Sequence, residues 1–421
     1  MINLSSIKIK ASYLIELTCI LWLLNAPLKR FFARILGIVG LTKYNQLIVG
    51  ILTFMPLLIY ILKFKKVPFR YFNIVFLLCA LFFSITYLLN PEILYWYNRE
   101  IFGISYTVFR PDHGAIWAFL IIELLHDEDR IWKVFKIYSI FLFVYNMFLL
   151  YVKNKLGYWL VFDFQGTFVE RNYSLDFGYD MAFIVIFLLA SYFYDKKLYK
   201  IIMSIPCIIL IILQGSRGAF LCILSAIVLL TLYNADTKKA KIGTLIFGTI
   251  IFFMTYLLLI DNDLKQILYS KLNSLGFQSR TIDMIISGEV FEDSGREVIY
   301  DLIKVKLNKN PWGFGAYGDR PIVGPYFYWG YSHNIFYEMA ANFGIIPSFI
   351  ILGIILLKSI DFILDHSNIK ISIILIILLS MSMKLLISDT FWGYKYFWML
   401  IAFIFIFRKD EGVKKSCVSY T

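Results

Sequence analysis

The chain reads as an all-α polytopic membrane protein, a single integral membrane domain over 1–421 with about twelve transmembrane helices. Three observations predict this class. Hydrophobic residues fill 60% of the 421 positions against 17% charged, and the mean hydropathy is +0.72. A water-soluble domain of that size has no interior large enough for so much apolar side chain. The stretch 242–260 runs 19 residues without a charge, enough at about 1.5 Å per residue to cross a hydrocarbon core of about 30 Å. Finally, the apolar blocks are far longer than the strands of about 10 residues in a membrane β-barrel, and they do not alternate.

Taken in order, the spans fall near 11–28, 44–62, 70–89, 113–125, 131–152, 177–194, 199–214, 216–233, 242–260, 332–357, 369–388 and 392–407. The first follows Lys8 and Lys10 as a signal peptide would. No A-x-A cleavage site comes after it and many spans do, so it is an uncleaved helix. Lys and Arg prefer the cytoplasmic side. The clusters Lys63-Lys65-Lys66-Arg70, Arg130-Lys133-Lys136, Lys196-Lys197-Lys200, Lys238-Lys239-Lys241 and Arg408-Lys409-Lys414-Lys415 all land there if both termini are cytoplasmic. Only Lys29, Arg30 and Arg34 break the rule, in the first external turn.

This orientation places one large external loop, 261–331, between predicted spans 9 and 10. Leu264, Ile267, Leu268, Leu272 and Leu275 recur there at helical spacing. Val298, Ile299, Leu302, Ile303 and Leu307 form a second apolar face before Pro311, so two short amphipathic helices are expected. The net charge of +12 is carried by these membrane flanks, which argues against nucleic acid as its partner. The cysteines Cys19, Cys79, Cys207, Cys222 and Cys417 contain no C-x-x-C pair, excluding a disulfide framework or structural zinc as the organising device.

Three external arginines are candidates for anion binding. Arg217 sits between Gly215 and Gly218 in the hinge between two spans, Arg280 follows Gln278-Ser279, and Arg296 opens the second loop helix. A guanidinium grips phosphate oxygens with paired hydrogen bonds and stays charged when partly desolvated; the glycines let backbone approach a ligand. The plain alternative is a solvated loop arginine, or a partner for Glu297 or Asp293. His333 follows the aromatic run Tyr326–Tyr331 and opens a span, where an imidazole can take a proton near neutral pH. The alternative there is a packing histidine, and for the aromatics an interfacial belt.

Three motifs are turned down. Gly313–Gly318 fits G-x-G-x-x-G but follows no strand, so it is a turn. Asp127-Glu128-Asp129 and Asp261-Asn262-Asp263 fit D-x-D but read as solvated helix ends. Glu16, Glu338 and Lys384 lie inside spans, where ionisable groups pair or face a water-filled cavity.

A Ser-Arg-Gly hinge, a long external loop with an Arg-led helix and Asn310-Pro311-Trp312-Gly313-Phe314-Gly315, then Ser332-His333-Asn334 and Phe343-Gly344, resembles the O-antigen ligase and polymerase superfamily over about 205–357. The resemblance implies a GT-C-like fold in the bacterial cytoplasmic (inner) membrane, with glycan transfer on its outer face. The donor is an undecaprenyl-diphosphate-linked oligosaccharide, and neither cofactor nor metal is implied. Arg217 and Arg296 would hold the diphosphate and His333 would assist the acceptor hydroxyl. Arg280, Arg171, Asn334, Tyr331, Gly215 and Gly218 complete the implied substrate-binding set. A polymerase making O-antigen, capsule or exopolysaccharide works beside a flippase and a chain-length regulator; a ligase differs in passing the glycan to lipid A–core. A lipid-linked oligosaccharide flippase is the rival of another class. Transporters place charged or broken-helix sites at midplane and often show inverted repeats, whereas here the charges are external and no repeat is evident.

Overall fold

The computed structural model describes residues 11–38, 40–64, 69–100, 102–112, 114–162, 168–171, 174–214, 216–234, 296–365 and 367–407. The predicted ninth span, the first amphipathic loop helix, Gly215 and Arg280 lie outside them. The described helices are α1 (Ala11–Leu23), α2 (Asn25–Ile38), α3 (Asn45–Phe64), α4 (Tyr71–Leu89), α5 (Leu94–Tyr97), α6 (Trp117–Leu125), α7 (Glu128–Leu156) and α8 (Leu175–Asp195). They continue as α9 (Tyr199–Leu213), α10 (Arg217–Tyr233), α11 (Arg296–Lys309), α12 (Arg320–Val323), α13 (Ile335–Phe343), α14 (Ile345–Leu364), α15 (Ile369–Ser382) and α16 (Lys395–Ile406). A hairpin of β1 (Trp159–Phe162) and β2 (Phe168–Arg171) joins α7 to α8, with Trp159 opposite Arg171.

Six of these helices are long and apolar enough to cross a membrane, α1 with α2 forming a further, bent pair. The shortfall from the predicted spans has physical causes. The first span turns by 74° between Leu23 and Asn25, so that α2 leaves the direction of α1. The span expected at 332–357 breaks at Gly344, and those expected at 113–125 and 392–407 shorten to α6 and α16. Short or broken helices are tolerated at membrane depth where protein rather than lipid surrounds them. Accordingly α6 is buried from Ala118 to Leu125 and packs on α16. α8 is 67% buried and the span Ile369–Leu386, α15 with the 3₁₀ turn that follows it, 56%, whereas α4 and α14 are only 17% buried and present Leu77, Leu88, Phe349 and Leu357 outward. The core is therefore α6, α8, α15 and α16, with α3, α4 and α14 as the lipid-facing wall.

The two ends of the bundle differ in chemistry. One gathers the short basic connections: Lys133 meets Glu16 at 2.6 Å, Lys200 meets Asp195 at 2.6 Å and Lys370 pairs with Asp129. Asp127 caps α7 there, accepting from the Asp129 and Arg130 amides at 2.8 and 3.1 Å, so this D-x-D is a helix end. The opposite end receives α11, α12 and the turns between them. Residues Gly313–Gly318 form turns there, with the four-residue α12 starting shortly after them. Phe314 and Gly315 donate to the carbonyls of Ala341 and Asn342 at 2.7 and 3.1 Å, and Ile345 donates to Pro311 at 2.9 Å. Gly344 has φ +91°, and a Cβ there would press the Trp312 carbonyl oxygen at 2.7 Å. The Pro311-Trp312-Gly313 and Phe343-Gly344 motifs are thus two halves of one joint.

Two of the three cations that broke the charge rule, Lys29 and Arg30, find partners. Lys29 meets Asp112 at 2.6 Å, and Arg30 donates to the Tyr145 hydroxyl at 2.6 Å and to Asp176 at 3.3 Å. At the other end Glu123, buried in α6, accepts from the amides of Arg70, Tyr71 and Phe72 at 2.6, 2.7 and 2.6 Å. It caps α4 from a neighbouring helix, satisfying donors that a helix start leaves open. Glu123→Ala is expected to lower stability by about 1–3 kcal/mol, the cost of leaving such donors unmet. A thermal melt of the purified protein in detergent that matches wild type would contradict that role.

Candidate functional site

Arg320 is the centre of the polar end. It is 1% exposed, and such a charge is held in a protein interior only when paired. Its guanidinium donates to Asp319 at 2.8 Å, Glu338 at 3.4 Å and the Thr390 hydroxyl at 2.9 Å, and lies over the rings of Tyr317 (4.6 Å) and Tyr331 (5.2 Å). Each partner then holds a different segment. Asp319 accepts from the Ser332 amide at 3.0 Å, and Glu338 accepts from Phe391 N at 3.0 Å and from the Thr390 hydroxyl.

This frame fixes Ser332-His333-Asn334. Asn334 caps α13 through Oδ1, accepting from Phe336 and Tyr337 at 2.9 and 3.4 Å, and its Nδ2 donates to Leu386 O at 2.9 Å. Between them His333 is turned into the left-handed region, φ 55°, and its ring stands 4.2 Å from that of Tyr331. Backbone of this kind is uncommon outside glycine and concentrates at functional sites. Nδ1 of His333 is buried with no hydrogen-bond partner among the described residues. Burial first, then the Arg296 charge, pushes the imidazole down to about 4, with Asp389 opposing. The ring is therefore neutral near pH 7, with a nitrogen free to accept a proton.

Three further elements close on the same place. Arg296, the first residue of α11, is half-buried and has no ion-pair partner among the described residues. Its charge is felt by both His333 and the Tyr179 phenol. α11 is held by Ile299, Ile303 and Leu307, the inward part of the amphipathic face expected from the sequence, while Val298 points out. Lys384 pairs with Asp389 at 2.7 Å and lies 4.3 Å over the Tyr179 ring; Asp389 (φ 69°) and Tyr317 (φ 61°) are further non-glycine residues in the left-handed region. α10 starts against Tyr179: a Cβ on Gly218 would collide with the Tyr179 hydroxyl and meet Ile387 Cδ1 at 2.9 Å. Gly218 makes room for a side chain of α8.

Of the residues singled out in the sequence, His333, Tyr331, Asn334, Arg296 and Gly218 thus meet in one region. Arg217 is the first residue of α10 at that region, with its side chain outside what is described. Arg171 ends β2, exposed, and no contact joins it to His333 among the described residues. Sequence reasoning missed Arg320, Asp319, Tyr179, Asp389 and Thr390. Lys384 and Glu338 did signal themselves as charges inside apolar spans. Ser216 caps α10 without a side-chain bond, and its hydroxyl is buried with no partner among the described residues. A helix start of this kind presents open amide N–H groups and the positive end of its dipole. Together these groups form a cation-lined site suited to an anion beside a neutral imidazole.

The class is thus a helical membrane protein with a polar cluster at one end of its bundle. Residues 202–352, from α9 into α14, match the family model described as O-antigen ligase. The resemblance to the O-antigen ligase and polymerase superfamily, whose members are glycosyltransferase-like enzymes, holds over that stretch. No curated protein and no solved structure matches the chain.

The frame and the imidazole are separable by mutation. Arg320→Met, which strands two buried carboxyls, should cost about 3–5 kcal/mol, whereas Glu338→Gln, a near-isosteric neutral change, should cost less. The midpoint of detergent thermal unfolding measures both, and the reverse order would dismiss Arg320 as the organising charge.

Proposed function

We propose that the chain is a polysaccharide repeat-unit polymerase at the outer face of a bacterial cytoplasmic membrane, GT-C-like in fold with about twelve spans. It transfers a growing undecaprenyl-diphosphate-linked glycan to the next lipid-linked repeat unit. The reading is supported by Arg296, which has no ion-pair partner among the described residues, by the start of α10 at Arg217, whose cap makes no side-chain bond, and by His333, whose imidazole is pushed down to about 4.

The chemistry follows from the donor. Its diphosphate is an activated leaving group, so the protein must stabilise departing negative charge and orient an acceptor hydroxyl. The acceptor oxygen attacks the anomeric carbon, and the carbon–oxygen bond to the diphosphate breaks with its electron pair. The diphosphate charge is taken by Arg217, Arg296 and the α10 amides. The hydroxyl proton passes to the open imidazole nitrogen of His333. Held down at about 4, the imidazole on its own is a poor base. The incoming diphosphate offsets Arg296, which removes one of the causes of the depression and raises the imidazole toward an effective range. A single displacement inverts the anomeric centre, and the step uses neither nucleotide fold nor metal.

A ligase would use the same donor half and differ in its acceptor, lipid A–core. Transport is disfavoured, because the charge cluster stands at one end of the bundle rather than at its middle.

Purified protein in detergent, given lipid-linked repeat units, should build polymer, which a flippase without a sealed bilayer cannot do. Arg217→Ala, Arg296→Ala and His333→Ala should each lower the rate roughly 100-fold or more while leaving the protein in the membrane. Normal chain-length ladders from the double arginine variant would remove the diphosphate clamp. The kcat/KM of the free enzyme should hold across the ordinary histidine range near pH 6.5 and fall only toward the depressed value of about 4. A fall centred near pH 6.5 would rule out the assigned state of His333.

A further inference from the structure

A polymerase handles two lipid-linked substrates at once, whereas the His333 region offers one cation-lined site. A second feature of the molecule fits the other lipid. Between α2 and the last turns of α7 lies a cavity of about 500 Å³. Its walls are apolar, with Phe31 and Ile35 of α2 facing Phe148 and Val152 of α7, and Arg30 and Arg34 are set into it. One wall is α2, which turns by 74° from α1, and Arg30 on that wall reaches Asp176 at the start of α8.

The charges there run against the topology. Lys and Arg are disfavoured on the outer side of a membrane protein, yet α2 carries three. Lys29 is neutralised by Asp112, and Arg30 by Asp176 with Tyr145. Arg34 is exposed and has no ion-pair partner among the described residues. Lys153 and Lys155 add two more cations at the same end of α7. Apolar walls with Arg34, a cation that has no ion pair among the described residues, set among them complement a molecule with a long hydrocarbon tail and an anionic head. Arg30 also ties the cavity to the reaction region. Its partner Asp176 lies in the first turn of α8, three residues before Tyr179, and its charge reaches Lys384.

We infer that the α2–α7 cavity is a second polyprenyl-diphosphate site, which seats the lipid of the acceptor with its diphosphate at Arg34 and its first isoprene units along Phe31, Ile35, Phe148 and Val152. This rests on the polymerase reading. Entry from the outer leaflet beside α8 presents the acceptor sugar to His333 while the donor occupies Arg217 and Arg296.

The test uses the full chain in nanodiscs of zwitterionic lipid and a photoreactive polyprenyl diphosphate, with labelled peptides mapped by mass spectrometry. Labelling is expected on α2 and α7 as well as near His333. Arg34→Glu and Val152→Trp should each cut the α2–α7 labelling by about tenfold and raise KM for acceptor by a similar factor, with kcat and the donor KM unchanged. Arg34→Lys should restore both. Unchanged donor kinetics show that the variants are folded. Wild type that polymerises while α2 and α7 stay unlabelled, or labelling there that phosphatidylglycerol displaces equally well, overturns the second site and leaves the polymerase reading intact. Wild type that labels α2 and α7 but makes no polymer supports the lipid site and overturns its acceptor role together with that reading.

Discussion

One buried guanidinium organises the functional end of this protein. Arg320 is surrounded by two carboxyls, a hydroxyl and two aromatic rings, and each partner belongs to or holds a different stretch of chain. A charge out of water is costly unless it is paired and hydrogen-bonded, and both terminal nitrogens of Arg320 are, while its Nε has no hydrogen-bond partner among the described residues. That requirement couples the loop before α12, the Ser332-His333-Asn334 triplet, α13 and the turn at 389–391. None can move without stranding a buried charge. The His333 backbone can therefore be held in a conformation that a free loop would abandon.

The same end is where regular helix is given up. Gly344 breaks one predicted span, the 3₁₀ turn Met383–Leu386 ends another, and α16 begins late at Lys395. Each interruption exposes backbone groups that lipid cannot satisfy, and protein satisfies them. Pro311, Ala341 and Asn342 carbonyls take amides from across the joint, and Asn342 Oδ1 accepts from Tyr317 N at 2.7 Å and Trp392 Nε1 at 3.0 Å. The irregular segments are those that bring His333, Lys384 and Asp389 together, so the geometry of the site and the breaks in the bundle have one origin.

Charge is distributed to match. At the basic end, lysines pair with acids at helix termini, close to water. At the other end Arg320, Lys384, Lys29, Arg110 and Arg30 stand in ion pairs, whereas Arg296 and Arg34 are among the cations without one among the described residues. The first group holds the structure. The second is available to an anion, once beside His333 and once beside an apolar cavity.

Much of this was legible in the sequence, for reasons of scale. Long uncharged runs must be helices in a bilayer because nothing else satisfies their backbone there, and basic connections set their direction. The apolar stripe of α11 and the turns at Gly313–Gly318 were local properties, readable from spacing and glycine. His333, Arg296 and Arg217 stood out because charge and imidazole are rare at a membrane mouth. Arg320 and Asp319 did not, since a loop arginine beside a loop aspartate looks solvated until the fold buries it. Asp389 and Thr390 were equally silent. What the residues determined by themselves was the class, and with it an expected sidedness of charge and a short list of candidate anion-binding groups. The tertiary structure alone decided which spans stop short, which cations are already paired, and which distant side chains share a site, because burial and pairing exist only once segments far apart in the chain are packed together.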